Sequence, residues 1–343
     1  MMESISLPKS PTMNQHPSQE GKAMILASQF NTKCETELQS VVDHAQDESF
    51  EALSEGFQLQ VSSGLGELYQ GNSIDWLRKL PEESIDLVFA DPPYNIKKAL
   101  WDSFESQDAY IEWSMRWIEE VARVLSPCGT LYICGYSEIL ADLKRPSERF
   151  FPECRWLIWH YKNKANLGND WGRSHESIMH LRKSKGTRLK NIDLVRIPYG
   201  AHTRKYPSHP QAETSNFGKK SVEPRENWHP HPMGAKPKDV IDIPTTCNGM
   251  NEKTPHPTQK PEELLRKLVL ASSVVGETVL DPFSGSGTTA VVCEQLGRNW
   301  LACDIDPQYN SWAAHRLANV RRMSEAEWYK HDRAVAERRE SIR

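Results

Sequence analysis

An α/β fold with a mostly parallel, doubly wound sheet is what the 343-residue chain predicts, from three observations. Short apolar runs of strand type, SIDLVFA, TLYIC, WLIWHY, ETVLD and NWLACD, alternate with stretches of helical period. Strands that alternate with helices imply right-handed crossovers and a sheet covered on both faces. Two of the strands stop at an aspartate that opens an irregular stretch, DPPY at Asp91 and DPFSGSG at Asp281. Strand interiors exclude proline, which cannot donate to the ladder, so DPPY is either a plain strand-ending turn or a rigid loop turned toward a ligand.

Bulk composition sets the class. At 38% hydrophobic and 26% charged residues, the chain fits a soluble globular protein of one large domain or two smaller ones. No run of eighteen apolar residues occurs, and MMESISLPKSPTMNQ holds no continuous hydrophobic segment, so neither a membrane helix nor a secretory signal is expected and the cytoplasm is the expected location. Seven cysteines are scattered without CxxC pairs, which reads as free thiols in a reducing compartment and no metal site; His229, His231 and Cys247 lack ligand spacing. The net charge of -4 hides an asymmetry: Lys183 to Lys260 carries fourteen Lys and Arg against seven Asp and Glu. Such a segment is either a phosphate-neutralising surface or a solvated loop region.

Along the chain, residues 1–60 show little periodicity and are expected to be a partly disordered extension. IDWLRKLP reads as a short helix stopped by Pro81, and SIDLVFA as a buried strand. From Asp108 to Leu125, apolar residues at 111, 115, 117, 118, 121, 124 and 125 have helical spacing, with Trp113 and Trp117 on the packing side. SPCG is expected to turn the chain into TLYIC. Regular pattern fades between 183 and 256, then resumes with PEELLRKLVLAS, whose proline start and two early glutamates mark a helix N-terminus. ETVLD, GTTAVVCEQLG closed by Gly297, NWLACD and PQYNSWAAHRLANVRR then alternate strand and helix.

In DPFSGSG, Gly285 and Gly287 permit a tight turn and close backbone approach, while the next helix offers free N–H groups to an electronegative ligand. The following strand ends at Asp304, about where an acid meets a ribose in a nucleotide-binding βαβ unit. No GK[ST] follows the glycines, which sets aside a P-loop. NAD, FAD and S-adenosylmethionine all remain compatible with this motif by itself.

The pair DPPY and DPFSGSG resembles the motif pair of DNA adenine-N6 and cytosine-N4 amino-methyltransferases. Their order, with HPTQKP at His256 to Pro261 between them, resembles the circularly permuted beta class over about Leu65 to Arg321. YQGNSIDWLRKLPEESIDLVFADPPYN, RVLSPCGTLYI and GRSHESIMHLRKS are similar to that class as well. The resemblance implies a Rossmann-like methyltransferase fold with a DPPY half over 61–182, an inserted target-recognition segment over 183–256 and a cofactor-binding half over 257–325; it does not cover the C-terminal tail expected over 326–343. It implies S-adenosyl-L-methionine as cofactor and duplex DNA as partner, and it is compatible with a homodimer and a cognate restriction endonuclease. Asp91 and the Pro92 carbonyl would accept the two N–H groups of the target amine, Pro93 would stiffen the loop, and Tyr94 would stack on a flipped base. Asp281, Phe283, Ser284, Gly285 and Gly287 would surround the methionine part of the cofactor, Lys260 its carboxylate, and Asp304 its ribose. Asn72 stands where the family usually carries aspartate against the cofactor adenine. Arg173, His175 and Glu176 resemble a family motif near the active site. Aspartate at the motif head favours adenine N6, since the cytosine branch commonly begins SPPY; an RNA or protein methyltransferase, or a DNA-binding regulator without catalysis, are the rival readings.

Overall fold

A computed structural model describes residues 56–98, 100–163, 169–206 and 229–341 of the protein, all within the compact unit Glu51–Arg343. Most of the extension expected over 1–60 therefore lies outside the described residues. A nine-stranded sheet organises the unit. Its strands are β1 (Gln58–Ser62), β2 (Gly66–Gln70), β3 (Ile85–Ala90), β4 (Leu125–Gly135), β5 (Glu153–His160), β6 (His175–Arg182), β7 (Val240–Asp242), β8 (Thr278–Asp281) and β9 (Asn299–Asp304), in the spatial order β1-β2-β9-β8-β3-β4-β6-β5-β7. The run from β2 through β9, β8 and β3 to β4 is parallel, while β6 lies antiparallel to both β4 and β5. The mostly parallel sheet expected from the alternating pattern is thus present, with an antiparallel β1 at one margin.

The helices are α1 (Ser73–Lys79), α2 (Gln107–Val124), α3 (Ser137–Ser147), α4 (Ala201–Lys205), α5 (Glu262–Ser272), α6 (Thr288–Leu296), α7 (Pro307–Leu317) and α8 (Glu325–Ser341). Side-chain alternation along β3 divides the core into two layers. Val88 and Ala90 pack with Ile74, Trp76, Trp117 and Leu140 from α1, α2 and α3, whereas Leu87 and Phe89 pack with Leu264, Leu268, Val292 and Ala313 from α5, α6 and α7. A parallel strand buried on both faces has to be apolar throughout, which is why IDLVFA shows no polar alternation after Asp86. α2 starts where Ser106 accepts the Ala109 N–H through Oγ at 3.1 Å, and it buries Met115, Trp117, Ile118, Val121 and Val124 as its spacing requires.

Three segments differ from the sequence reading. SPCG is not a free turn: it falls inside β4, where the pairing jumps from Ile85↔Leu125 to Leu87↔Thr130, so Ser126 to Gly129 bulge from the ladder. The span 183–256 is partly integrated with the sheet, since β7 pairs parallel with β5 and extends the edge. Within that span Ile197 and Ala235 exchange two backbone hydrogen bonds, at 3.0 and 2.8 Å, a neck that brings positions 197 and 235 together. The tail expected over 326–343 begins inside α8, which docks through Trp328, 8% exposed and capped by the Arg266 guanidinium 3.9 Å from its ring centroid. Arg339 adds a bidentate pair with Glu263 at 2.7 and 2.6 Å. That helix has a weak apolar period, and its anchor is a single tryptophan among charges, so pattern reading had little to detect. Among the described residues no helix is long and apolar enough to cross a membrane.

Because one buried aromatic holds α8, Trp328→Ala should destabilise the fold by about 3 kcal/mol. Urea melts comparing the variant with wild type measure this, and a loss under about 1 kcal/mol would mean that the charged pairs carry the docking.

Candidate active site

Parallel pairing of Leu87 with Val279 and Val88 with Leu280 sets β3 beside β8, so DPPY and DPFSGSG open on one edge of the sheet. From β8 the chain crosses through α6 to β9, and from β3 it crosses through α2 to β4 on the other side and the other face. The strand order therefore reverses between the two motifs, and such a reversal leaves a crevice at the carboxyl ends of the strands. A cleft of about 320 Å³ lies there, with Asp91, Pro93, Lys260, Asp281, Phe283 and Asp304 in its lining. Nine of the sequence-derived candidates line this cleft, whereas Pro92, Tyr94 and Gly287 are not in its lining.

The DPPY loop is fixed from behind by Asp102, which is 1% exposed. Its Oδ1 accepts the Tyr94 N–H at 2.6 Å, and its Oδ2 accepts those of Ile96 at 3.3 Å and Lys98 at 3.0 Å. Asn95 and Lys97 both take left-handed conformations with φ of 58°, a cost of order 1 kcal/mol each that the Asp102 contacts offset. Asn95 accepts the Phe104 N–H at 3.0 Å, so it tightens the loop. Nothing in ALWDSF marks Asp102 as special, since the amides it serves come together only when the loop is folded.

Asp91 emerges into a cluster of buried polar groups. Its Oδ2 meets Lys260 Nζ at 2.6 Å and its Oδ1 accepts the Tyr94 hydroxyl at 2.6 Å. Glu176, at the start of β6, stands behind both donors: its Oε2 is 3.5 Å from Lys260 Nζ and 3.2 Å from the Tyr94 hydroxyl oxygen. Burial pushes the Asp91 carboxyl above the usual range; Lys260 opposes that shift and Glu176 adds to it. Burial alone would lower the Lys260 ammonium, but Asp91 and Glu176 outweigh it and hold the lysine charged. Lys260, expected near a cofactor carboxylate, is therefore engaged with the DPPY aspartate. Of the three residues in RSHE, Glu176 reaches this cluster, whereas Arg173 stacks on Tyr136 with its guanidinium carbon 3.7 Å from the ring centroid and His175 Nε2 lies 3.5 Å from Ser137 Oγ. Tyr136 in turn meets the Tyr94 ring edge-on at 5.2 Å. Pro92 is buried and Pro93 forms cleft wall.

On the other side, Asp281 organises its own loop, accepting the Phe283 N–H at 3.0 Å and the Thr289 hydroxyl. Burial raises its pKa to about 7. Ser73, at the start of α1, donates to the Pro282 carbonyl, and Phe283 packs against Trp117 and Trp113 at 5.3 and 5.7 Å. Trp113 thus serves as packing residue and cleft wall together. Gly285, φ 50°, donates to Asp304 Oδ2 at 2.7 Å, and Gly287, φ 74°, caps α6 where an added Cβ would stand 2.6 Å from Ala313 Cβ. Burial lifts Asp304 to about 6, against the pull of the amides that it accepts from. Asn72 caps α1, its Oδ1 accepting from Ile74 at 3.0 Å and Asp75 at 3.3 Å, while the residue lines the cleft. His256, from HPTQKP, is another lining residue; burial, then Lys260, lowers its pKa to about 3, so it is a neutral ring against Tyr309.

The cleft suits a nucleoside with an amino-acid arm. Ser284 Oγ is buried at its wall without a hydrogen-bond partner among the described residues, an orphan that a polar ligand atom would satisfy. Carboxylates at Asp304 and Asp306 face it, aromatic surface comes from Trp101 and Tyr309, and the left-handed glycines leave backbone uncovered.

The sequence profile of the N6/N4 DNA methylase family matches residues 85–315, more than half of the chain. The protein belongs to this family. It is 34% identical over 252 residues to the Type II methyltransferase M.HpaI of Haemophilus parainfluenzae, covering 72% of each chain. It is 32% identical over 255 residues to the DNA adenine methyltransferase YhdJ of Escherichia coli K12, covering 73% of this chain and 82% of that one. Among solved structures, the PvuII DNA methyltransferase, cytosine-N4-specific, shares the fold at a TM-score of 0.58 and 18% identity, over 82% of this chain and 95% of that one. A DNA modification methylase of Thermus thermophilus, described by its solvers as putative, aligns at a TM-score of 0.50 with 25% identity over 74% and 94%. The family member is thus a DNA methyltransferase of the N6/N4 type on a Rossmann-like methyltransferase fold.

Glycine's necessity at 287 has two separable parts. Gly287→Ala should cost roughly 2–4 kcal/mol, from left-handed strain plus the clash with Ala313. Gly249→Ala, at φ 92° with open space around it, should cost only the strain, about 1 kcal/mol. Equal losses for the two in thermal or urea melts would mean that the α6 to α7 contact yields freely.

Proposed function

We propose that this methyltransferase acts on the exocyclic N6 of adenine in duplex DNA, after the base is turned out of the helix. The observation that carries the reading is Asp91, held by Lys260 and Tyr94 at the wall of the cleft that Asp281, Ser284, Gly285 and Asp304 also line. Aspartate heads the motif, as the resemblance associates with adenine, and YhdJ is by name an adenine methyltransferase.

The cofactor, S-adenosyl-L-methionine, supplies an electrophilic methyl group when bound. Residues Phe283, Ser284, Gly285 and Gly287 would hold its methionine arm, Asp304 its ribose and Asn72 the adenine end. The chemistry left to the chain is to make a poor nucleophile available. The amine lone pair of adenine is delocalised into the ring, so the amine must become pyramidal before it can attack. Asp91 accepting one N–H and the Pro92 carbonyl accepting the other favour that geometry, and the prolines keep both acceptors in place before binding. Asp91 also lies close to the positive charge that develops on the nitrogen. Tyr94 would stack on the extruded base, offsetting part of a flipping cost of a few kcal/mol. The span 183–256 would read the sequence, with its exposed lysines and arginines on phosphates.

Incubation of duplex DNA with methyl-labelled cofactor, followed by nucleoside mass spectrometry, should yield N6-methyladenine. N4-methylcytosine instead would move the target to the other branch, and label in RNA with none in DNA would end the DNA reading. Asp91→Ala should lower methyl transfer at least about a hundredfold with cofactor affinity near wild type; retained transfer would remove Asp91 from its role.

A further inference from the structure

The geometry points to a second binding site, apart from the methyl-transfer cleft, for an amphiphilic organic anion: an aliphatic chain with a carboxylate or phosphate head. A cavity of about 870 Å³ lies against β4, β6, β5 and β7 on the α5 side of the sheet, with the Ile192–Val195 turn and α8 as its other walls. Its volume falls within the roughly 300–1,000 Å³ of small-molecule pockets. Leu265 of α5 lines the cleft while Lys267 and Leu268 line the cavity, and the two spaces share no lining residue.

The cavity floor is polar where a covered sheet face is ordinarily apolar. Strand register sets Arg155, His180 and Tyr132 in one row across β5, β6 and β4. His180 is 5% exposed and stacks on Tyr132 at 4.3 Å, yet it has no hydrogen-bond partner among the described residues. Burial, then Arg182 and Arg155, lowers its pKa to about 3, so the ring is neutral. A buried imidazole N–H left unmet is a cost that a ligand oxygen would remove. Lys267 repeats the pattern on α5. The two carboxylates that act on it are taken by arginines, Glu263 by Arg339 at 2.7 and 2.6 Å and Asp332 by Arg266 at 3.3 and 3.2 Å. Lys267 itself makes no ion pair or hydrogen bond among the described residues, and burial lowers its pKa. Asp239 and Asp242, the other acids in the lining, are exposed at the β7 rim. Unmatched cations call for an anion. Between them the walls are aliphatic, from Leu157, Leu189, Leu194, Ile241 and Leu268, and the Tyr132 face is already covered by His180, so a chain fits better than a nucleotide base.

Isothermal titration of the full chain with decanoate and with decyl phosphate tests the site. At least one should bind with a Kd on the order of 10 μM, and decanol, acetate and inorganic phosphate should each bind at least about tenfold more weakly. Tighter decanoate identifies a carboxylate head, tighter decyl phosphate a phosphate head. Saturating S-adenosyl-L-methionine should leave the affinity unchanged, because the cleft is a separate space. Lys267→Met keeps the stem and removes the charge; it should weaken binding about tenfold. Its ligand-free form should melt at or above the wild-type temperature, since a desolvated cation without a partner stabilises nothing. If Lys267→Met melts lower or does not fold, Arg155→Gln, at an exposed position of the same floor, decides by the same loss of affinity. Failure of both chain-bearing anions to bind overturns the inference. So does decanol binding as tightly as decanoate, displacement by the cofactor, or wild-type affinity in both variants.

Discussion

Everything at the site follows from the parallel pairing of β3 with β8. A short ladder between IDLVFA and TVLD brings together residues that are remote in sequence, and no local propensity does that work. The pairing is forced by burial. Both strands are apolar on both faces, so each needs helices above and below and a neighbour on each side. With α1, α2 and α3 packed on one face and α5, α6 and α7 on the other, the cleft opens at the carboxyl ends of the two strands. A permuted order of motifs is immaterial to this geometry, because spatial adjacency and not chain order places the aspartates.

The fold was largely legible. Strand and helix alternation, the N-terminal proline of α5 and the closing Gly297 of α6 are local signals, and local signals survive translation into structure. DPPY and DPFSGSG were legible for the same reason: their prolines and glycines have few conformations available. What the sequence hid was whatever depends on distant partners. Asp102 looks like any aspartate, yet three amides of the DPPY loop converge on it. Lys260 reads as a cation for a carboxylate, but the carboxylate it meets is Asp91, which lies across the sheet edge and 169 positions away. Trp328 hid because one anchoring side chain makes no periodic pattern.

Charge shows the same divide between local counting and spatial arrangement. The excess of positive residues from 183 to 260 fits either a phosphate-neutralising surface or a solvated loop, and part of it is answered from elsewhere in the chain. Lys190 pairs with Glu277, Lys183 lies 3.5 Å from Glu83, and Lys260 is shared by Asp91 and Glu176. Lys236 and Lys238 remain on exposed surface, while Lys219, Lys220 and Arg225 fall outside the described residues. A segment's net charge overstates its field when its cations are spent inward; the cations left outside define the surface a polyanion would meet.

The neck between Ile197 and Ala235 bears on how such enzymes diversify. The stretch 198–234 leaves and returns through this backbone bridge, and near its end the Met233 carbonyl accepts from the Tyr329 hydroxyl and Arg333 of α8. Lengthening a loop closed in this way costs little, about 0.6 kcal/mol for each doubling. The bridge between Ile197 and Ala235 thus fixes where this stretch leaves and rejoins the chain, at a point separate from the ladder of β3 with β8 that sets the two motifs side by side.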